Sequence, residues 1–436
     1  MKNIIFNQKV SLCLLIGLIS GWLVGCSPKA NNSDQIEFWT MQLKPNFTKY
    51  FADLNTIFEA QNEPIRLRWV DVPWSAMENK ILTSISAKTA PDLVNLNPKF
   101  ASQLATKNAW LSLNEVITPG NKKTYLPKIW QASTIEVCQK NSCQDQTFGI
   151  PWYLTTNITV YNQKLLSAGG VKQAPQTYEE LATIAQQIKD KTGKYALFIS
   201  FVPGDSEDVL ESFVKMGVNL TDESGQAAFN TPEGKAVFQY WVDLYQQKLL
   251  PPEVLTQGHR YGIEQYQAGE VALLNSGAEF IETITNNAPS IAKVSKIAPQ
   301  ITGKTGKKNV AVMNLVIPKD SEKSDQALKY ALHLTNTKNQ LAFAQASNTL
   351  PSTVAGVEQY IEEIKQQKQL TLSDKAKQVS AAQLDDAEIL IPVQKDIQVL
   401  QQAIYENLQA AMLKEKTVEQ ALQDAASQWN SQTSSN

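Results

Sequence analysis

Residues 36–96 read IEFWTMQLKPNFTKYFADLNTIFEAQNEPIRLRWVDVPWSAMENKILTSISAKTAPDLVNL, and the alternation within them decides the fold class. Ile36-Glu37-Phe38-Trp39-Thr40 is a short strand. Pro45-Asn46 opens a helix whose apolar residues Phe47, Tyr50, Phe51, Leu54, Ile57 and Phe58 fall on one stripe. Residues 65–70 give the next strand. Ser75-Ala76-Met77-Glu78 reads as a capping box, in which serine and glutamate satisfy orphan backbone amides, opening a helix through Ile81, Leu82 and Ile85. Residues 92–96 give a third strand. Strand and helix alternating in this way imply a parallel sheet with helices on both faces, an α/β fold.

The same pattern returns downstream. Residues 150–161 are extended. Thr177-Tyr178-Glu179-Glu180 caps a helix with Leu181, Ile184, Ala185 and Ile188 on one side, and residues 195–200 form a strand. Thr231-Pro232 starts another helix, with proline where its missing N–H costs nothing. Trp241 shares a helical stripe with Val237 and Leu244, which makes it core. Residues 271–274 and 310–317 read as further strands, and from Ser324 the chain is almost wholly helical.

The N-terminus carries a different signal. Lys2 and Lys9 mark a basic opening, followed by an apolar run from Val10 to Gly25. That run is short for a bilayer span, which needs about 20 apolar residues. Basic start, apolar middle and small residues before a cut are the layout of a secretory leader. The run ends Leu23-Val24-Gly25-Cys26, which resembles the lipobox of bacterial lipoproteins. The resemblance implies a signal peptide over residues 1–25, with Cys26 acylated (palmitate is a typical chain) and becoming the first mature residue. Residues 26–35 are then the lipidated cysteine and a polar tether. A flexible chain of that length reaches only about 15–18 Å, so the body stays near the membrane surface.

Composition removes several classes of function. Without Lys2 and Lys9 the mature chain carries 38 basic against 42 acidic residues, which does not suit nucleic-acid binding, where a basic face is needed. About 400 mature residues exceed one compact core, so two lobes are expected. Cys138 and Cys143 remain after Cys13 leaves with the leader and Cys26 takes lipid. In an oxidising compartment they read as a disulfide. His259 and His333 lack cysteine or histidine partners at ligand spacing and read as structural; no metal or cofactor is expected. No G-x-S-x-G elbow, H-E-x-x-H helix or Gly-rich phosphate loop is present, and none of the expected strand-end loops offers an acidic pair. Only Arg66, Arg68 and Arg260 are available for bidentate recognition of anions, which disfavours an anionic ligand.

Short motifs in shared order along most of the mature chain carry a further resemblance. They include Glu37-Phe38-Trp39-Thr40, Ala90-Pro91-Asp92-Leu93-Val94, Phe148-Gly149-Ile150-Pro151-Trp152-Tyr153 and Val160-Tyr161-Asn162. Further on come Phe229-Asn230-Thr231-Pro232-Glu233-Gly234, Tyr266-Gln267-Ala268-Gly269-Glu270-Val271-Ala272, Leu350-Pro351-Ser352 and Glu419-Gln420-Ala421-Leu422 before Trp429-Asn430. In these the chain resembles the sugar-binding group (family 1) of extracellular solute-binding proteins of ABC importers, which includes maltose-binding protein. Thr159 departs from the family, which usually has an apolar residue there. The resemblance implies a monomeric, two-lobed periplasmic-binding-protein fold of type II with a hinge of two or three crossing segments, a helical C-terminus and ligand in the cleft. It implies membrane subunits of an import permease as partners and no catalysis. The crossings are expected near Trp152, at residues 274–277 and at residues 312–315. That places lobe 1 at residues 36–152 plus 277–314 and lobe 2 at residues 153–276 plus 315–436.

Ligands of open parallel sheets sit beyond the C-terminal ends of the strands. That rule selects Trp39, Thr40, Met41, Asn95, Asn97, Trp152, Tyr153, Asn275, Ser276, Gly277 and Asn314. Aromatic rings can stack on sugar C–H faces and amides can meet hydroxyls, so the set suits a neutral polyol. Trp74 and Glu279 complete the candidates, with Trp152 as the expected principal stacking face. Other solutes, such as a glycerol phosphodiester, and an exported carbohydrate-active enzyme remain the alternatives.

Overall fold

The computed structural model describes residues 34–139, 142–367, 369–391 and 397–433. The expected leader, Cys26 and most of the tether lie outside the described residues.

The opening segment folds as its pattern requires. Strand β1 (Gln35–Met41) pairs in parallel with β2 (Arg66–Val72), Phe38 opposite Trp69 and Thr40 opposite Asp71, and also with β3 (Leu93–Leu96). The crossover helix Thr48–Gln61 buries Phe51, Leu54 and Phe58, whereas Ile57, at the edge of the stripe, is 51% exposed. The next helix, Trp74–Ser86, does not use the expected capping box. Pro73 stands at its N-cap without a side-chain cap, so Ser75 and Glu78 already lie inside the helix. Later caps form as expected: Thr177 Oγ1 accepts from the Glu180 N–H at 3.2 Å, and Thr231 Oγ1 from the Gly234 N–H at 3.1 Å.

A hairpin of β4 (Thr134–Gln139) and β5 (Ser142–Thr147) sets Cys138 opposite Cys143, and Cys143 is disulfide-bonded. After the hairpin the sheet stops being purely parallel. Strand β6 (Ile150–Asn162) is 13 residues long and serves both halves of the molecule. Two short strands, β7 (Tyr195–Leu197) and β8 (Val271–Gly277), pair in parallel, and β8 with β9 (Ser295–Pro299) flanks the second half of β6. Strand β10 (Lys308–Val316) then runs antiparallel to the first half of β6 and to β3, with an irregularity between Met313 and Asn314. The sheet order is therefore β2-β1-β3-β10-β6-β8-β7. Thr159, the departure from the family pattern, is buried and donates from Oγ1 to the Pro299 carbonyl at 2.9 Å, which satisfies a hydroxyl where a methyl would otherwise pack.

Two large cores define two lobes, and they revise the expected boundaries. One gathers Phe38, Phe51, Trp110 and Trp152 with Leu315, Ala327, Tyr330, Leu334 and Phe343. The other gathers Ile158, Phe213, Trp241 and Val271 with Ala278, Ile281, Leu408 and Trp429. Residues 315–343 thus belong with the first lobe, because β10 zips onto β3 and carries the following helices with it. The segment after β8 stays in the second lobe, so residues 274–277 are not a crossing. The chain crosses along β6, which holds Trp152, again along β10, which holds residues 312–315, and a third time between Phe343 and Ala376. A smaller cluster on that last passage holds Leu154, Val312, Leu350 and Tyr360. The helical C-terminus is as expected, ending in the packed pair Ile397–Met412 and Val418–Thr433. No helix among the described residues is long and apolar enough to cross a membrane.

Candidate binding cleft

A cleft of about 820 Å³ lies where the lobes meet. Its first wall comes from the turn after β1, with Gln42, Asn46 and Phe47, together with Trp74 and Asn97. Asp71, at the end of β2, holds that turn in place: Oδ1 accepts from Thr40 Oγ1 at 2.6 Å and from the Leu43 N–H at 2.8 Å, and Oδ2 from the Lys44 N–H at 2.9 Å. Tyr153 and Thr155 of β6 and Ala311 and Met313 of β10 make the floor. Opposite stand Glu279, Phe280, Glu282, Thr283 and Asn286, and residues 346–349 with Phe343 close the third side.

Of the expected site residues, Trp74, Asn97, Tyr153 and Glu279 meet in this cleft. Trp74 is 43% exposed, an indole face with little protein packed on it. Asn97 caps the helix Pro98–Ala105, its Oδ1 accepting from the Phe100 N–H at 2.8 Å. Burial raises the Tyr153 phenol above its ordinary range, and the nearby charges of Glu279 and Asp71 raise it further.

The remaining candidates do not line it. Trp152 is 1% exposed, stacked on Phe343 at 4.8 Å between ring centroids, with Phe38 and Phe51 about 6 Å away. It is a core residue, because the side chain of Trp152 leaves β6 on the opposite face from that of Tyr153. Trp39 is buried, donating from Nε1 to Glu37 at 2.6 Å under the Lys80 ammonium. Thr40 is bound to Asp71 and accepts from Trp69 Nε1, and Met41 is core. Asn95 donates from Nδ2 to the Asn314 backbone carbonyl at 3.4 Å, and Asn314 Oδ1 accepts from Ser133 Oγ at 2.5 Å. Asn275 donates to Asp208 at 3.0 Å, and Ser276 is buried. Gly277 acts through its neighbour: a Cβ there would lie 2.1 Å from Glu279 Oε2. The common error was one of register. The strand-end rule points to loops just past the strands, whereas most of these residues lie within strands with their side chains buried.

Several lining residues went unread. Gln42, Asn46 and Phe47 follow directly on Met41, and Thr155 shares a face with Tyr153 by the period of two. Two carboxylates line the cleft, Glu279 in the turn after β8 and Glu282 on the helix Ile281–Asn287. His333 packs against Phe58 and stacks on Tyr330, in keeping with a structural part. Among the described residues no group of three or more His, Cys, Asp or Glu could hold a metal ion.

Two lobes sharing one sheet, with an aromatic and amide-lined cleft between them, are the architecture of a solute-binding protein. The chain belongs to the family of bacterial extracellular solute-binding proteins, whose model matches residues 41–341. A solved structure from Synechococcus sp. MITs9220, provisionally described as an oligosaccharide periplasmic-binding protein and solved alone and with zinc, shares 40% identity with a TM-score of 0.85, covering 92% of this chain and 99% of that one. The cyclic alpha-maltosyl-1,6-maltose binding protein of Arthrobacter globiformis has the same fold at 19% identity, TM-score 0.77, over 92% of this chain and 99% of its own. The diacetylchitobiose binding protein DasA of Streptomyces coelicolor is 22% identical over 70% of each chain.

Proposed function

We propose that this protein binds a sugar in the interlobe cleft and delivers it, without chemical change, to the membrane subunits of an ABC-type importer. The cleft lining carries the reading: aromatic faces at Trp74, Phe47 and Tyr153 interleaved with the amides and hydroxyls of Gln42, Asn46, Asn97, Thr155, Thr283 and Asn286. That is the chemistry a saccharide needs, and the volume lies in the usual range for small-molecule sites. Relatives that bind oligosaccharides support it. A glycerol phosphodiester fits less well, since no Lys or Arg is among the described residues lining the cleft. An enzyme would need its two carboxylates to flank a scissile bond, and the relatives are binding proteins. Incubation with a carbohydrate panel should give reversible thermal stabilisation and no turnover; ligand at 100 times Kd adds about 2.7 kcal/mol.

Binding by two walls implies closure, since a ligand shifts an open–closed equilibrium only by contacts it gains on closing. Trp74→Ala should weaken sugar binding at least tenfold, about 1.4 kcal/mol, while the ligand-free thermal midpoint stays nearly unchanged because the ring is so exposed. Small-angle scattering should show the wild type contracting on adding ligand. Tight binding without contraction would remove closure from the mechanism.

We further propose that the protein is a monomer anchored by lipid at Cys26, the tether leaving the body on the extracytoplasmic side of the membrane. The lipobox-like Leu23-Val24-Gly25-Cys26 supports this. Cys26→Ser should abolish incorporation of labelled fatty acid and block the lipoprotein cleavage. Continued labelling of that variant would overturn the anchor.

A further inference from the structure

The loop after β8 holds a carboxylate whose position its neighbours do not explain. Glu279 lines the cleft, yet its Oε2 is buried without a hydrogen-bond partner. A buried polar group left unpaired costs free energy, and it persists where something absent from the protein supplies the partner. Glycine at 277 makes the placement possible: any side chain there would meet both Glu279 oxygens, at 2.1 and 2.3 Å from a Cβ. The backbone at Gly277 has φ −82° and ψ 164°, an ordinary extended conformation, so glycine is not needed there for the chain itself. It is the space that matters.

The charges around the carboxylate are one-sided. Among the described residues the cleft lining contains Glu279 and Glu282 and no lysine or arginine. The phenol of Tyr153 faces it from β6, itself raised by the Glu279 charge. From the helix Leu372–Ala382, which also packs on this loop, Lys377 interacts with Asp374 and Glu282 and donates to the Gln345 carbonyl, while Lys375 is exposed. Glu282 stands on the following helix, Ile281–Asn287.

We propose that Glu279 is the residue by which the cleft selects its saccharide: its carboxylate accepts hydroxyl or ammonium donors from an uncharged or amine-bearing sugar and excludes sugars that carry carboxylate, phosphate or sulfate. This rests on the sugar-binding reading above and narrows it. An anionic sugar would have to sit beside two carboxylates with no lysine or arginine among the described lining residues, and such repulsion discriminates against the wrong ligand. A neutral sugar instead offers the donors that Oε2 lacks.

Burial also pushes Glu279 up to about 7, its own backbone N–H opposing the shift only partly. A ligand that donates to the carboxylate favours the ionised form, so binding releases a proton near neutrality and affinity rises with pH through that value. From pH 8 to pH 6 the ionised fraction of a group titrating near 7 falls about tenfold, and affinity should fall with it.

The test is calorimetry on the intact mature protein with three sets of probes: neutral oligosaccharides, glucosamine oligosaccharides, and glucose 6-phosphate with oligogalacturonides. The tightest ligands should be neutral or amine-bearing, bound about tenfold more weakly at pH 6 than at pH 8, with proton release visible as a dependence of the heat on buffer. Glu279→Gln should flatten the pH profile and end proton release, a change that a merely structural residue would not produce. Gly277→Ala should displace the carboxylate and weaken binding in the wild-type background but add little to Glu279→Gln. Should an anionic probe bind best, or the Gln variant keep the wild-type pH profile, the assignment of Glu279 is wrong while the sugar reading stands. Failure of every probe, whatever its charge, would instead remove the sugar reading itself.

Discussion

Trp152→Ala should cost about 3–5 kcal/mol of folding free energy, the range for truncating a large buried aromatic and leaving a cavity. The indole is almost wholly buried, stacked on Phe343 and edged by Tyr153, and it contacts Phe38 and Phe51. Those residues come from β1, the helix Thr48–Gln61, β6 and the helix Thr337–Ser347, so the void opens where four elements join. Urea unfolding should show a midpoint well below wild type. Sugar binding should change only as far as Tyr153 and Phe343, which line the cleft, shift into the space. Trp152→Phe keeps a ring in the stack and should recover much of the loss. An alanine variant with a wild-type midpoint and abolished binding would return Trp152 to the site.

Lys215→Met should be comparably damaging, about 3–5 kcal/mol near pH 8. Lys215 and Glu211 are 3% and 4% exposed, and Nζ lies 2.9 Å from Glu211 Oε2. The other oxygen, Oε1, accepts from Asn309 Nδ2 at 2.6 Å, tying the helix Asp208–Lys215 to β10. Burial raises the Glu211 carboxyl, Lys215 pulls it back down, and Asp208 pushes it up again. Removing the ammonium leaves burial and Asp208 unopposed, so the native carboxyl of the variant titrates higher still. A carboxyl whose native value lies above its unfolded value weakens the fold as pH rises from the unfolded toward the native value. The penalty of Lys215→Met should therefore shrink as pH falls toward the ordinary carboxylate range. The double variant Glu211→Gln with Lys215→Met should regain most of the stability at pH 8. A single variant whose loss is the same at pH 5 and pH 8 would contradict this account.

What the sequence made legible follows from how local each decision is. The first three strands and their helices were readable because alternation and stripe are written within about ten residues, as Phe51, Leu54 and Phe58 show. The crossing segments were less so. Strands β8 and β10 are both short apolar runs, and which of them pairs with β3 is decided by contacts more than a hundred residues apart. Trp74 and Trp152 present the same ambiguity in miniature. Each follows a proline, yet one begins a helix at the cleft mouth and the other lies in a strand facing the core. The Pro-Trp step is the same in both, and what separates them is the element that follows together with the register of β6. Glu279 was visible as a candidate, but nothing in the sequence tells that Gly277 is small in order to let its carboxylate fold back.

The helix Val418–Thr433 bears on the order in which the two lobes can complete themselves. Trp429 donates to the Gly225 carbonyl, Asn430 accepts from the Ala227 N–H, and Ala421, Leu422 and Ala425 seal the core around Trp241. A polypeptide threaded outward N-terminus first exposes Trp241 long before its cover arrives. The second lobe therefore waits, its apolar face open, until residues 421–429 have emerged. The first lobe waits only for Phe343, so the two mature in order. During that interval the unfinished half presents its apolar face to holdases and proteases, and a deletion that removes residues 418–433 leaves that face uncovered.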